Sequence, residues 1–320
     1  LPSNEPGERS EMTDSVKWIC RPHGAERGTG TRALPPLARE PRRLVLLALA
    51  LLLAALSSAG PVTADEAGHY GFGGADAGAL ALYRQGWIEI LEYGRWTEAE
   101  RLYRETVAAD PDFIVAKSVL ARITSDTAER NRLFEEVRSR LDEVDDDGRL
   151  LLVTYQKTLE LFAARETGDT AAPEARAAMA RRAVNDYGRF LEKYPDEWSV
   201  MIEYVEWVHA LEGPAAALAE IRRLRGKHGS AVSFSYFPAW FHAELGNQDT
   251  ARELASAFTR RIDDASAPQP HYLDAYLAFR AGDLDAAEQA IERALALDPG
   301  HLLAGRLQST IAAARETALD

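Results

Sequence analysis

Cysteine is almost missing from this 320-residue chain: Cys20 is the only one. A single thiol excludes an intramolecular disulfide and any cysteine-based zinc or iron–sulfur site. Histidine is scarce, at seven residues, and methionine scarcer, at three. No Ser/His/Asp grouping stands out along the chain, so the sequence reads as that of a non-enzyme without a cofactor. Positive charge is in deficit, with 37 Lys+Arg against 50 Asp+Glu and a formal net charge of −13. That balance excludes a main task of gripping nucleic acid or an anionic membrane by charge. Period-two alternation is missing too, and without it there is no candidate strand.

What is present begins with an address. Residues 44–56 read LVLLALALLLAAL, thirteen apolar residues preceded by Arg42 and Arg43. As a helix this run would span roughly 20 Å, short of the ~30 Å hydrocarbon core of a bilayer. Val62 and Ala64 follow at the small-residue positions of an export cleavage site. Residues 44–64 are therefore expected to be the apolar core and cleavage site of a signal peptide. Residues 1–43, rich in Gly, Pro and Arg, are expected to be an upstream segment, disordered or untranslated. The mature part, 65–320, then holds 29 basic and 44 acidic residues, a net charge of −15, and no cysteine. That suits an oxidising compartment, the periplasm of a Gram-negative cell or otherwise the exterior. No membrane span is expected after cleavage.

Residues 65–78, ending in GFGGADAG, read as a flexible leader, and 79–320 as one helical domain. Apolar residues recur at three and four, as in Tyr187, Phe190, Leu191, Tyr194 and in Ala287, Ala290, Ile291, Ala294. This is the period of an amphipathic helix, and the Ala/Leu/Glu/Arg-rich composition is helix chemistry. The segments GRWTEAERLYRETVAADP (94–111) and GDLDAAEQAIERALALDP (282–299) share one layout. Each has glycine first, alanine five residues on, and Asp-Pro at its end. Glycine supplies a tight interhelical turn, alanine lets two helices approach, and proline ends the second helix.

On these residues the chain resembles the tetratricopeptide repeat family, whose units are helix–turn–helix pairs of about 34 residues. Gly213, Gly246 and Gly282 lie 33 and 36 residues apart, near that period. Further matching pieces are 182–198, with Ala183, Tyr187 and Pro195, and 244–258, with Gly246 and Ala251. The resemblance implies an all-α, right-handed α-solenoid of about six helix pairs with a C-terminal capping helix. The expected pairs are 80–110, 114–143, 148–194, 197–227, 231–264 and 269–298, with the cap at 300–316.

The resemblance also implies that the fifth and ninth positions of each first helix face a concave groove. Counted back from the turn glycines, these are Glu203 and Trp207, Tyr236 and Trp240, and Tyr272 and Tyr276. Phe162 holds the ninth position of the third pair. Aromatic rings four residues apart share a helix face and offer contact area at low entropy cost. They would suit an extended segment of a protein partner, which the acidic surface would bias toward basic character, or sugar rings. The alternative is that they pack between helices as ordinary core.

Other motifs carry less. His209 and His242 hold one equivalent position in adjacent repeats but lack a third ligand, so no metal site is expected. The acids of LDEVDDDGR (141–149) approach a calcium loop, but Thr154 stands where a bidentate Glu is required, so they read as caps of the next helix. The sequence expectation is thus an exported scaffold for protein–protein interaction, serving envelope assembly through an aromatic groove. A self-associating structural subunit and a glycan- or peptidoglycan-binding accessory are the alternatives.

Overall fold

The computed structural model describes residues 69–166, 173–228 and 236–319, without side chains at 161–166, 225–228 and 318–319. The expected signal peptide and the segment before it lie outside the described residues, as does the side chain of Phe162. Among the described residues every regular element is helical. In chain order the α-helices are α1 (Ala77–Ile88), α2 (Trp96–Ala109), α3 (Ile114–Ile123), α4 (Thr127–Ser139) and α5 (Asp146–Glu166). They continue with α6 (Pro173–Lys193), α7 (Trp198–Glu212), α8 (Pro214–His228) and α9 (Phe237–Glu244). The last four are α10 (Gln248–Ile262), α11 (Pro268–Arg280), α12 (Leu284–Leu297) and α13 (Leu302–Leu319). A π-helical turn, Glu89–Tyr93, extends α1. None of these helices is long and apolar enough to cross a membrane.

Local chemistry starts and stops these helices. The Asp76 carboxylate accepts from the Gly78 and Ala79 amides at 2.9 and 3.1 Å and caps α1. Asp126 caps α4 in the same way, and Asp283 caps α12. Asp145 accepts from the Gly148 amide at 2.7 Å at the start of α5, the capping role expected of the acidic run. The turn before α2 runs through Gly94 at φ 74°, a left-handed conformation that favours glycine. A Cβ there would also lie 2.8 Å from the Gln269 amide nitrogen and 3.0 Å from His301 Nε2. Gly94 therefore serves both a turn and a close approach between distant parts of the chain.

Packing follows the helix faces. α2 buries Ala99, Leu102, Tyr103 and Thr106, and α12 buries Ala287, Ala290, Ile291 and Ala294. Ala99 and Ala287 are fully buried, as their place at a helix–helix approach demands. Each helix packs against its successor in the chain. In addition α3 touches α5, α9 touches α11, and α11 touches α13, so alternate helices form a second, inner set of contacts. α7 is buried at nearly every position from Ser199 to His209.

The expectation for the leader needs correction. Tyr70 and Phe72 are buried, and the Tyr70 ring packs on Phe72, Phe190 and Tyr194 at 4.8–5.2 Å. Its hydroxyl donates to Asp145 at 2.7 Å. Phe72 packs on Tyr83 and Phe113. Residues 69–78 are thus pinned to the helical core, because two large rings gain more by burial than the glycines around them lose in freedom.

The first and last helix pairs meet. The π turn packs on α11. Arg261 reaches the buried Glu92 at 2.9 Å, and Arg95 binds Asp264 and Ser266. The Thr97 amide donates to Asp298 at 3.1 Å, and its hydroxyl donates to the same carboxylate. Trp96 and His301 lie ring to ring at 5.9 Å. The two segments that share the Gly…Ala…Asp-Pro layout, 94–111 and 282–299, are therefore neighbours in space.

Candidate functional site

The helices line a small, partly open pocket with room for about 30 Å³. Trp87 of α1 and Ile90 and Leu91 of the π turn form one wall. The π turn matters here, because one wider turn brings consecutive apolar residues toward the same space, a device common at functional sites. Val119, Arg122 and Ile123 come from the end of α3, and Ile202, Glu203 and Glu206 from α7. Leu302, Leu303 and Arg306 close it from α13, with Trp96, Thr158 and Tyr236 completing the lining. A mostly apolar wall with a few convergent polar groups is the usual form of a small-molecule site.

The polar groups are unequal. Arg122 meets Glu203 at 2.7 Å and lies over the Tyr155 ring at 4.3 Å. The Tyr155 hydroxyl donates to the other Glu203 oxygen at 2.6 Å. Both Glu203 oxygens are thereby occupied. Burial works against the Arg122 charge, yet Glu203, helped by Tyr155 and Tyr187, carries its pKa above the ordinary value. Glu206, one helical turn further along α7, is 8% exposed and has neither an ion pair nor a hydrogen bond among the described residues. Burial, reinforced by the nearby Glu203 charge, pushes its carboxyl well above the usual carboxylate range, against the pull of Arg122.

The six residues assigned to a concave groove are all in the interior, none more than 5% exposed. Glu203 and Tyr236 line the pocket; Trp207, Trp240, Tyr272 and Tyr276 do not. Tyr236 stacks on Phe237 and Trp240, and Trp240 meets the Tyr276 ring edge-on at 5.4 Å. Tyr276 donates to Glu244 at 2.8 Å, and Glu244 holds His209 at 2.6 Å. Tyr272 packs on His301 at 5.2 Å. The expected open aromatic groove is corrected accordingly: Tyr236, Trp240 and Tyr276 pack on one another, Tyr272 packs on His301, and Trp207 is buried. The reason is packing: each of the six side chains is covered by neighbouring helices and not left on an open face. His209 is fully buried on Glu244 and Phe241, and His242 pairs with Asn247 instead. Among the described residues no group of three or more His, Cys, Asp or Glu side chains could hold a metal ion.

Sequence reasoning missed Arg122, Glu206 and the α13 contribution. One signal was there to be read. Glu203 and Glu206 are two acids three residues apart in the otherwise apolar run WSVMIEYVEWVHAL, and such acids on one helix face cannot both face solvent cheaply. Nothing in the linear sequence marks Leu302, Leu303 and Arg306 as their neighbours. Comparison with known proteins adds no constraint: no family model and no curated protein matches the chain.

Proposed function

We propose that this chain is an exported binding protein without catalytic chemistry, a closed helical-repeat scaffold that holds a small ligand in its interior. The repeat reading takes the helices as six stacked pairs of the tetratricopeptide kind with α13 as the cap, and export rests on residues 44–64. The single observation that carries the binding role is the pocket between α1, α3, α7 and α13, with Glu206 inside it lacking a partner. A buried acid without a partner is costly to keep, and ligand sites are where such costs are met. An extended peptide is less well served, because the rings meant to grip it are already packed on one another.

Titration of the full chain with the apolar dye Nile red tests this reading. Saturable uptake at one dye per chain is expected, and it should be lost in Leu303→Trp, which fills the pocket. Absence of saturable uptake, or uptake unchanged in that variant, would overturn it.

A further inference from the structure

The pocket's charges are arranged to select the chemistry of what enters. Arg122 and Glu203 neutralise each other at 2.7 Å, and Tyr155 occupies the remaining Glu203 oxygen. That leaves Glu206 as the acid in the lining with neither an ion pair nor a hydrogen bond among the described residues, although it is more than nine-tenths buried. The same pocket is lined by Trp87, Trp96 and Tyr236, aromatic rings of the kind that favour cations, and by the apolar side chains of Ile202 and Leu303. A ligand that is apolar throughout would leave the Glu206 carboxyl desolvated and unpaired. A ligand carboxylate would bring a negative group beside Glu206 and disfavour its ionisation further. A protonated amine, by contrast, would bring the opposite charge that lets this buried carboxyl give up its proton, together with the hydrogen-bond donors that the resulting carboxylate lacks.

We propose that the interior pocket binds an apolar organic amine, its ammonium group on the Glu206 carboxylate and its hydrocarbon part against Ile202, Leu303 and the tryptophans. This rests on the interior-site reading above and narrows it to one ligand class. Arg306 also lines the pocket, so a ligand that led with an anionic group is the competing outcome.

Phenylbutylamine, phenylbutanol and phenylbutyrate share one apolar body and differ in the head group. Isothermal titration of each into the full chain at neutral pH separates the cases. The amine is expected to bind about tenfold or more tighter than the alcohol, with the carboxylate weakest. In Glu206→Gln, checked by circular dichroism to be folded, amine and alcohol should bind alike. Should that variant fail to fold, Glu206→Asp keeps the charge but withdraws it by one methylene; it must weaken the amine several-fold and leave the alcohol unchanged. Equal binding of amine and alcohol to the unmodified chain would overturn the proposal, as would a preference for the carboxylate or an amine affinity indifferent to both variants. If none of the three binds while Nile red still saturates, the amine assignment fails and the interior site stands. If Nile red fails as well, the interior site itself is wrong.

Discussion

Thr97 and Asp298, 201 residues apart in sequence, are joined by two hydrogen bonds to one carboxylate. Asp298 belongs to the Asp-Pro that ends α12, and Thr97 to the first turn of α2. The same carboxylate accepts from the Gly300 amide at 2.9 Å, so it ends one helix while it anchors the start of another. This joint converts a row of helix pairs into an arrangement whose ends support each other.

Breaking the joint should therefore cost more than a surface hydrogen bond. Asp298→Ala removes a buried acceptor and leaves amides of both Thr97 and Gly300 without it, a loss of about 1–3 kcal/mol. Thr97→Val, which removes only the hydroxyl, should cost about 1 kcal/mol. Urea unfolding of both variants and of the double variant gives the coupling directly. A coupling near zero would mean that the two ends do not stabilise one another.

The Arg122–Glu203 pair makes a sharper case. Both side chains are almost wholly buried, so removing one leaves the other charged in a poor solvent. Arg122→Met alone, or Glu203→Leu alone, is expected to destabilise by about 3–5 kcal/mol. The double variant should recover much of that loss, because apolar side chains of similar size suit the site. A double variant as unstable as the sum of the singles would show that the pair is needed for more than mutual neutralisation.

His301 predicts a pH dependence. Burial holds its imidazole down to about 4, below the ordinary 6.5, with Asp298 opposing only in part. The folded state thus keeps His301 neutral where the unfolded chain would protonate it. Its contribution is fully present above about 6.5 and is lost as pH falls from there toward 4, reaching about 2 kcal/mol at pH 5. Urea midpoints measured at pH 7 and pH 5 should converge by about that amount in His301→Gln, which cannot titrate. An unchanged difference between the two pH values in the variant would place the acid sensitivity elsewhere.

Much of the fold was legible residue by residue. The turn glycines at 94, 213, 246 and 282 all fall at helix ends with positive φ, and the expected helix stretches carry helices. These are local matters: a 3.6-residue apolar period and a residue without a Cβ act within a few positions of themselves. Tyr70 and Phe72 show the limit. Glycine and small residues around them signal freedom, and only the presence of Phe190, Tyr194 and Phe113 nearby turns the segment into core.

The candidate site was legible only in part. The repeat resemblance set Glu203 and Tyr236 on one face of their helices, and they line the pocket, but it could not say whether that face met solvent, a partner or the chain itself. That question turns on tertiary packing, which also joins Thr97 to Asp298 and Arg95 to Asp264 across some 170–200 residues. The sequence by itself determined helices, their turns and their buried stripes, because propensity, capping and periodicity are short-range. Which helices close on which, and so which acids end up paired and which is left facing a pocket, was decided by the tertiary structure. Charge pairing and desolvation depend on distances that only the packed chain defines.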